Sequence, residues 1–264
     1  MSDLLETAKT TYRSYLNGGL REAVAGSASA GKAYWIVGFS YRILAISHLL
    51  ADGDSAVFRR LMAKAGHSRL DYMRGLKDAE PQDKSYWCGS KNVGFFHSLV
   101  AGDLDTANEL AALAPRTHTK GVEYEEDFLF SHFCQQLLTA SDDSESLQRI
   151  CDRWDEVLEG KGSPKLNVSR AFLAADDTAF DEALDEMITE YEQAMADWRT
   201  RTDYREDLGA TEGNLFVNGL AILRLAEIRG LHPRDEHPFM PSMARVPLDD
   251  SLPSFNLWRD PDAA

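Results

Sequence analysis

Apolar residues recur along most of this chain at intervals of three and four, the spacing of one face of an α-helix rather than the alternation of a strand. The clearest case is AFDEALDEMITEYEQAM, residues 179–195. It sets Phe180, Ala183, Leu184, Met187, Ile188, Tyr191 and Met195 on one stripe, with Asp181, Glu182, Asp185, Glu186, Glu190 and Glu192 opposite. Asp176, Asp177 and Thr178 ahead of it supply N-cap candidates and negative charge for the positive end of the helix dipole. In SPKLNVSRAFLAA, Ser163 is a cap candidate and Pro164 takes the first helical position, where its missing N–H costs nothing. The segment 211–230, TEGNLFVNGLAILRLAEIRG, is largely apolar and stops on glycine, which predicts a central buried helix. No segment shows a convincing strand pattern, so the expected class is all-α.

A weak internal repeat runs through these helices. LLADGDSAVFRRLMAKA (49–65), LVAGDLDTANELAALA (99–114), LLTASDDSESLQRICDRW (137–154) and FLAADDTAFDEALDEMI (172–188) share one plan. An apolar helix end reaches alanine, a short Gly/Asp/Ser turn follows, and a new amphipathic helix starts from Asp or Ser. The turn alanines, Ala51, Ala101, Ala140 and Ala174, are 50, 39 and 34 residues apart, too uneven for a regular solenoid. Each hairpin alone would leave an apolar face in water, so the expectation is antiparallel helical hairpins stacked into one irregular bundle.

Beyond Gly230 six prolines, at 233, 238, 241, 247, 253 and 261, prevent continued helix. Phe239, Met240, Phe255, Leu257 and Trp258 are too apolar for a free tail, which predicts an extended segment pinned across the helices, loose only in its last few residues. The expected organisation is a helical domain over 1–230 and an extended proline-rich segment over 231–264. The helical part divides as an option into an N-terminal subdomain, 1–115, and an acidic C-terminal subdomain, 116–230.

With 264 residues, 44% of them hydrophobic, the chain can bury a sizeable core. The start, MSDLLETAKTTYRSYL, is amphipathic, and no stretch approaches the uninterrupted apolar length of a membrane span. Cys88, Cys134 and Cys151 are an odd number without metal-ligand spacing and read as reduced, buried thiols, which with the absent leader predicts a cytoplasmic protein with no membrane role. Charge changes the picture more. Between Glu123 and Glu212 lie 24 acids and 8 bases, net −16, whereas the remainder holds 19 acids and 20 bases. Such a field repels nucleic acid and steers basic partners.

Sites for chemistry are sparse. VAGSASAGKAYW (24–35) has the outline of a phosphate-binding loop, Gly26 followed by Gly31 and Lys32. The residue after the lysine is Ala33 rather than a metal-binding Ser or Thr, and the upstream GGLREAVAG looks like helix rather than a buried strand. His67 and Asp71 share a helical spacing without a second ligand pair, and His132 lacks a glutamate three residues before it, so neither a metal nor a cofactor is expected. No nucleophile elbow, catalytic Cys–His signature or HExxH sequence is present, and carboxylates are too abundant on the acidic helices to mark one pair as acid–base machinery. Two aromatic segments, KAYWIVGFSYRI and KSYWCGSKNVGFFHSL, have basic residues nearby and could stack bases. Their near-helical spacing assigns them instead to the core.

The C-terminal half, about residues 165–241, resembles the all-helical immunity protein 49 family of bacterial polymorphic toxin systems. The likeness rests on FLAADDTAFDEALDEMITEYEQ, EGNLFVNGLAILRLAEIRGL and the proline-flanked HPFMP. It implies a non-enzymatic protein that binds and neutralises a cognate toxin domain, as a monomer or small homo-oligomer. Attraction between carboxylate-rich helices and a basic toxin cleft would supply the mechanism. The binding face expected on these grounds includes Glu123, Glu125, Glu126 and Asp127, or Asp181, Glu182, Asp185 and Glu186. The alternatives are a helical-repeat adaptor for other proteins and, behind it, a helical enzyme with an unrecognised metal or nucleotide site.

Overall fold

A computed structural model describes residues 2–24, 30–76, 81, 83–140, 143–245, 247 and 258–261. Among these the chain forms eleven α-helices and no strand. The first six are α1 (Ser2–Val24), α2 (Gly31–Asp52), α3 (Ser55–Gly75), α4 (Val93–Ala101), α5 (Leu104–Leu113) and α6 (Glu125–Thr139). There follow α7 (Ser144–Val157), α8 (Pro164–Ala174), α9 (Asp177–Arg199), α10 (Glu206–Thr211) and α11 (Val217–Ile228). Adjacent helices pack antiparallel into a bundle.

Local chemistry explains why the chain turns where it does. At the four turns marked by alanine, the next helix begins on an aspartate whose carboxylate accepts the N–H three residues on. The pairs are Asp54 with Val57 (2.8 Å), Asp103 with Thr106 (3.2 Å), Asp143 with Ser146 (2.9 Å) and Asp176 with Ala179 (3.0 Å). Gly53 and Gly102 end their helices in the left-handed conformation, and Ala175 does the same at φ 49°. Ser163 likewise caps α8 through the Leu166 N–H, with Pro164 at its first position. In α7 the buried Leu147, Ile150, Cys151 and Trp154 stand at i, i+3, i+4 and i+7, as the stripe rule requires. The stripe of α9 is buried from Phe180 to Ile188 and half-buried at Tyr191 and Met195.

The last two helices close the bundle. α10 returns to α1 and α2, and α11 lies against α4, α6 and α9, buried along most of its length. It starts at Val217 rather than near residue 211, because Asn214 turns the chain by donating its amide to the Gly209 and Ala210 carbonyls. By length and mean hydropathy α2 is the one helix among the described residues apolar enough to cross a membrane, a property that a search for uninterrupted runs passes over. It packs between α1 and α3 with most of its apolar window buried.

One crossing is unusually close. A Cβ placed on Gly66 of α3 would overlap the Ser98 hydroxyl of α4, and one on Gly94 of α4 would overlap the Arg69 stem of α3. Glycine in a helix interior costs stability, so its presence at both facing positions reflects the approach of the two backbones. Gly66→Val is expected to destabilise the protein by about 2 kcal/mol through overpacking, read as a lower urea midpoint at constant slope. A neutral result would mean that the crossing can widen freely.

At the C-terminal end Trp258 is buried, and its carbonyl accepts the Tyr41 hydroxyl at 2.5 Å. Arg259 pairs with Asp71 at 2.6 Å, and the Asp260 carbonyl accepts from Lys64 at 2.8 Å. Residues 258–261 are thus held on α1, α2 and α3. Phe255, Leu257 and the last three residues lie outside the described residues, as does Gly26 of the phosphate-loop outline. What is described there lacks the strand that a nucleotide loop follows, since α1, a helix, precedes it, although Gly31 and Lys32 open α2 as such a loop's lysine would.

Candidate functional site

The acidic residues singled out in the sequence fall into two groups on either side of α8, which packs on both α6 and α9. The first group surrounds the start of α6. Glu123 is a loop brace: its carboxylate accepts the Ser90 N–H at 2.6 Å and the Thr119 N–H at 2.9 Å. Glu125 pairs with Arg153 of α7 at 2.8 Å, and that guanidinium holds its carboxyl below the usual range. Asp127 pairs with Lys165 of α8 at 3.0 Å. Glu126 is exposed and has no hydrogen bond or ion pair among the described residues.

The second group lies on α9. Asp181 and Asp185 both engage Arg234, at 3.4 and 2.5 Å, and Asp181 also accepts the Arg234 backbone N–H. Glu186 accepts from Asn167 of α8 at 2.9 Å. Glu182, like Glu126, is exposed and unengaged among the described residues. Six of these eight carboxylates are therefore engaged within the chain, and exposed ion pairs of this kind contribute only about 0–1 kcal/mol each. Glu126 and Glu182 are the two without such an engagement among the described residues.

Beside Glu126 stand residues that charge counting missed. Tyr124, the N-cap of α6, is 77% exposed, the highest value among the exposed large hydrophobics, and Val122 is also exposed. The loop that presents them is braced by Glu123 and by His118, whose Nε2 lies 2.9 Å from the Glu123 carbonyl. A tyrosine offers contact area at low entropic cost, and an acid next to it adds charge-dependent steering.

The three segments that carry the family resemblance meet at one place. Tyr191 of α9 stacks on Phe216 with ring centres 4.5 Å apart, and Phe239 stands edge-on to it at 5.3 Å. The Phe216 N–H donates to the Phe239 carbonyl at 2.9 Å, and the Tyr191 hydroxyl donates to the Glu212 carbonyl. The Glu212 carboxylate in turn accepts from Arg42 of α2, which ties this cluster to the N-terminal helices.

The histidine pair noted in the sequence is separated. His67 Nε2 lies 2.7 Å from Asp103, whereas Asp71 engages Arg259 and the Tyr34 hydroxyl. Among the described residues no three His, Cys, Asp or Glu side chains come together as a metal site. All three cysteines are buried and unpaired. No family model, no curated protein and no solved structure matches the chain.

Proposed function

We propose that this chain is an immunity protein that neutralises a cognate bacterial toxin by direct binding, with its contact surface at the entry to α6. The observation that carries the reading is the exposure of Tyr124 beside Glu126, within the stretch 123–212 that holds the whole charge imbalance. The resemblance of residues 165–241 supports the class of partner, and the segments behind it form one aromatic cluster. The finer architecture in this reading is a stack of antiparallel hairpins with 231–264 as an extended segment over them, supported by the contacts of Phe239 and Trp258.

The test is growth rescue in a bacterium that expresses the toxic domain encoded beside this gene, followed by purification of the pair. Rescue and a one-to-one complex are expected. Tyr124→Ala should weaken that complex at least about tenfold, the effect of a hot-spot aromatic. Glu126→Lys with Glu182→Lys should slow association by about tenfold at low salt and flatten its salt dependence, because both charges are unengaged within the chain. Failure of both rescue and binding, with both proteins soluble, would shift the reading to an adaptor. Rescue that ignores all three substitutions would place the interface elsewhere.

A further inference from the structure

Between α2, α3 and the start of α4 opens a cavity of about 270 Å³, and its walls come from the two aromatic segments that the sequence assigned to the core. Trp35 and Phe39 lie one helical turn apart on α2 and stack in parallel, ring centres 5.2 Å apart and planes 5° from coplanar. Trp35 is 39% exposed, an unusual state for an indole in a folded monomer, and it forms one side of the opening.

Among the described residues the wall carries three permanent cations, Arg42, Arg69 and Lys91, and no carboxylate. Arg42 is compensated by Glu212. Arg69 donates to the Tyr86 carbonyl at 2.5 Å and lies over the Tyr72 ring at 5.2 Å, but it has no carboxylate partner among the described residues. Burial draws its pKa down to about 10, which leaves it charged at neutral pH. The Lys91 ammonium has neither a hydrogen bond nor an ion pair among the described residues. Arg69 and Lys91 therefore bring positive charge to this lining with no carboxylate partner among the described residues.

A second, independent observation points the same way. His97 of α4 also lines the cavity and is only 2% exposed; among the described residues neither ring nitrogen has a hydrogen-bond partner, and neither presents surface to the space as the ring stands. Burial first, and then the nearby Arg42, hold its pKa well below the ordinary value, so at neutral pH the ring is uncharged. It offers one N–H donor and one lone pair. Buried polar groups of this kind are nearly always satisfied in native proteins, and chance packing voids are apolar.

We infer that this cavity binds a small organic oxyanion, a carboxylate or a phosphate monoester that carries a flat ring. The oxyanion sits between Arg69 and Lys91, His97 becomes a hydrogen-bond partner once its ring turns into the space, and the ligand ring lies along Trp35 and Phe39. Guanidinium groups suit planar and phosphate oxyanions, and the size of the space, near the lower end of ligand pockets at roughly 300 Å³, selects a single-ring compound. This inference does not rest on toxin binding.

The experiment titrates the full-length protein with phenyl phosphate, benzoate, inorganic phosphate and benzyl alcohol, following the His97 imidazole resonances by NMR. At least one ring-bearing anion is expected to saturate with a dissociation constant below about 1 mM, and inorganic phosphate and benzyl alcohol to bind at least about tenfold more weakly. Binding by phenyl phosphate or by benzoate alone assigns the ester or the acid; binding by both leaves the oxyanion class intact. Lys91→Ala and Trp35→Ala, both on side chains without structural bonds, should each weaken binding about tenfold while the circular dichroism spectrum is retained. The inference is overturned if no probe moves His97 up to about 10 mM. It also fails if inorganic phosphate binds as well as the ring anions, or if binding survives both substitutions.

Discussion

Removing residues 258–264 is expected to lower the unfolding free energy by about 4 kcal/mol, and the melting temperature by roughly 10 °C. The main loss is Trp258, which is 7% exposed with its ring against Tyr34, because emptying the site of a buried tryptophan removes both transfer energy and packing. The Tyr41 hydroxyl loses the Trp258 carbonyl, and Asp71 loses Arg259. Lys64 also loses the Asp260 carbonyl, and this charge is the more costly case because its residue is 2% exposed. Lys64→Met should therefore restore about 1 kcal/mol in the truncated chain while destabilising the full-length one. Urea unfolding of the four proteins measures that coupling. A truncation loss below about 1 kcal/mol would show the segment to be loosely held, despite the contacts.

The elements legible in the sequence are those whose cause is local. Asp54, Asp103, Asp143 and Asp176 cap helices through N–H groups three residues away, so a short window contains the whole interaction. The stripe of α7 is legible for the same reason. The start of α11 was not, because Leu215 and Phe216 extend its apolar run backwards and the turn depends on Asn214 reaching back to α10. Nor was the return of α10 to α1 and α2, which links segments far apart in the chain.

The two candidate sites differ in the same way. The acidic bias of 123–212 is visible in composition, but its internal partners are not. Glu125 meets Arg153 28 residues away, Asp127 meets Lys165 38 away, and Asp185 meets Arg234 49 away. Counting charges therefore overstates what faces a partner. For the cavity a signal was present. Val37, Tyr41 and Leu44 form one apolar stripe on α2 and are buried, while Trp35, Phe39 and Arg42 form another at i, i+4 and i+7. Two stripes on one helix, the second ending in a cation, distinguish a helix with both core and cavity faces from one that is simply buried. Reading all the aromatic residues as core merged them.

Arg42→Met is expected to cost about 3 kcal/mol, and Glu212→Met a similar amount, whereas the double substitution should recover most of either loss. The pair joins α2 to the end of α10 through both a 2.7 Å Nε contact and a second contact from the other guanidinium nitrogen, and its side chains are 17% and 18% exposed. At that depth each charge has given up much of its hydration, so removing one partner strands the other, while removing both replaces a polar pair with apolar contact. Phe39 lies against the guanidinium at 5.6 Å and would accept a methionine there. The cluster of Tyr191, Phe216 and Phe239 depends on the same point, because the Glu212 carbonyl accepts the Tyr191 hydroxyl. If the single substitutions loosen the attachment of α10, hydrogen exchange should accelerate at Thr211–Val217 before it does so in α7, whose main packing is on α6 and α8. A single-substitution loss below about 1 kcal/mol would instead place the pair among solvent-screened surface bridges, and α10 would then be held by its packing on α1 and α2 rather than by the pair.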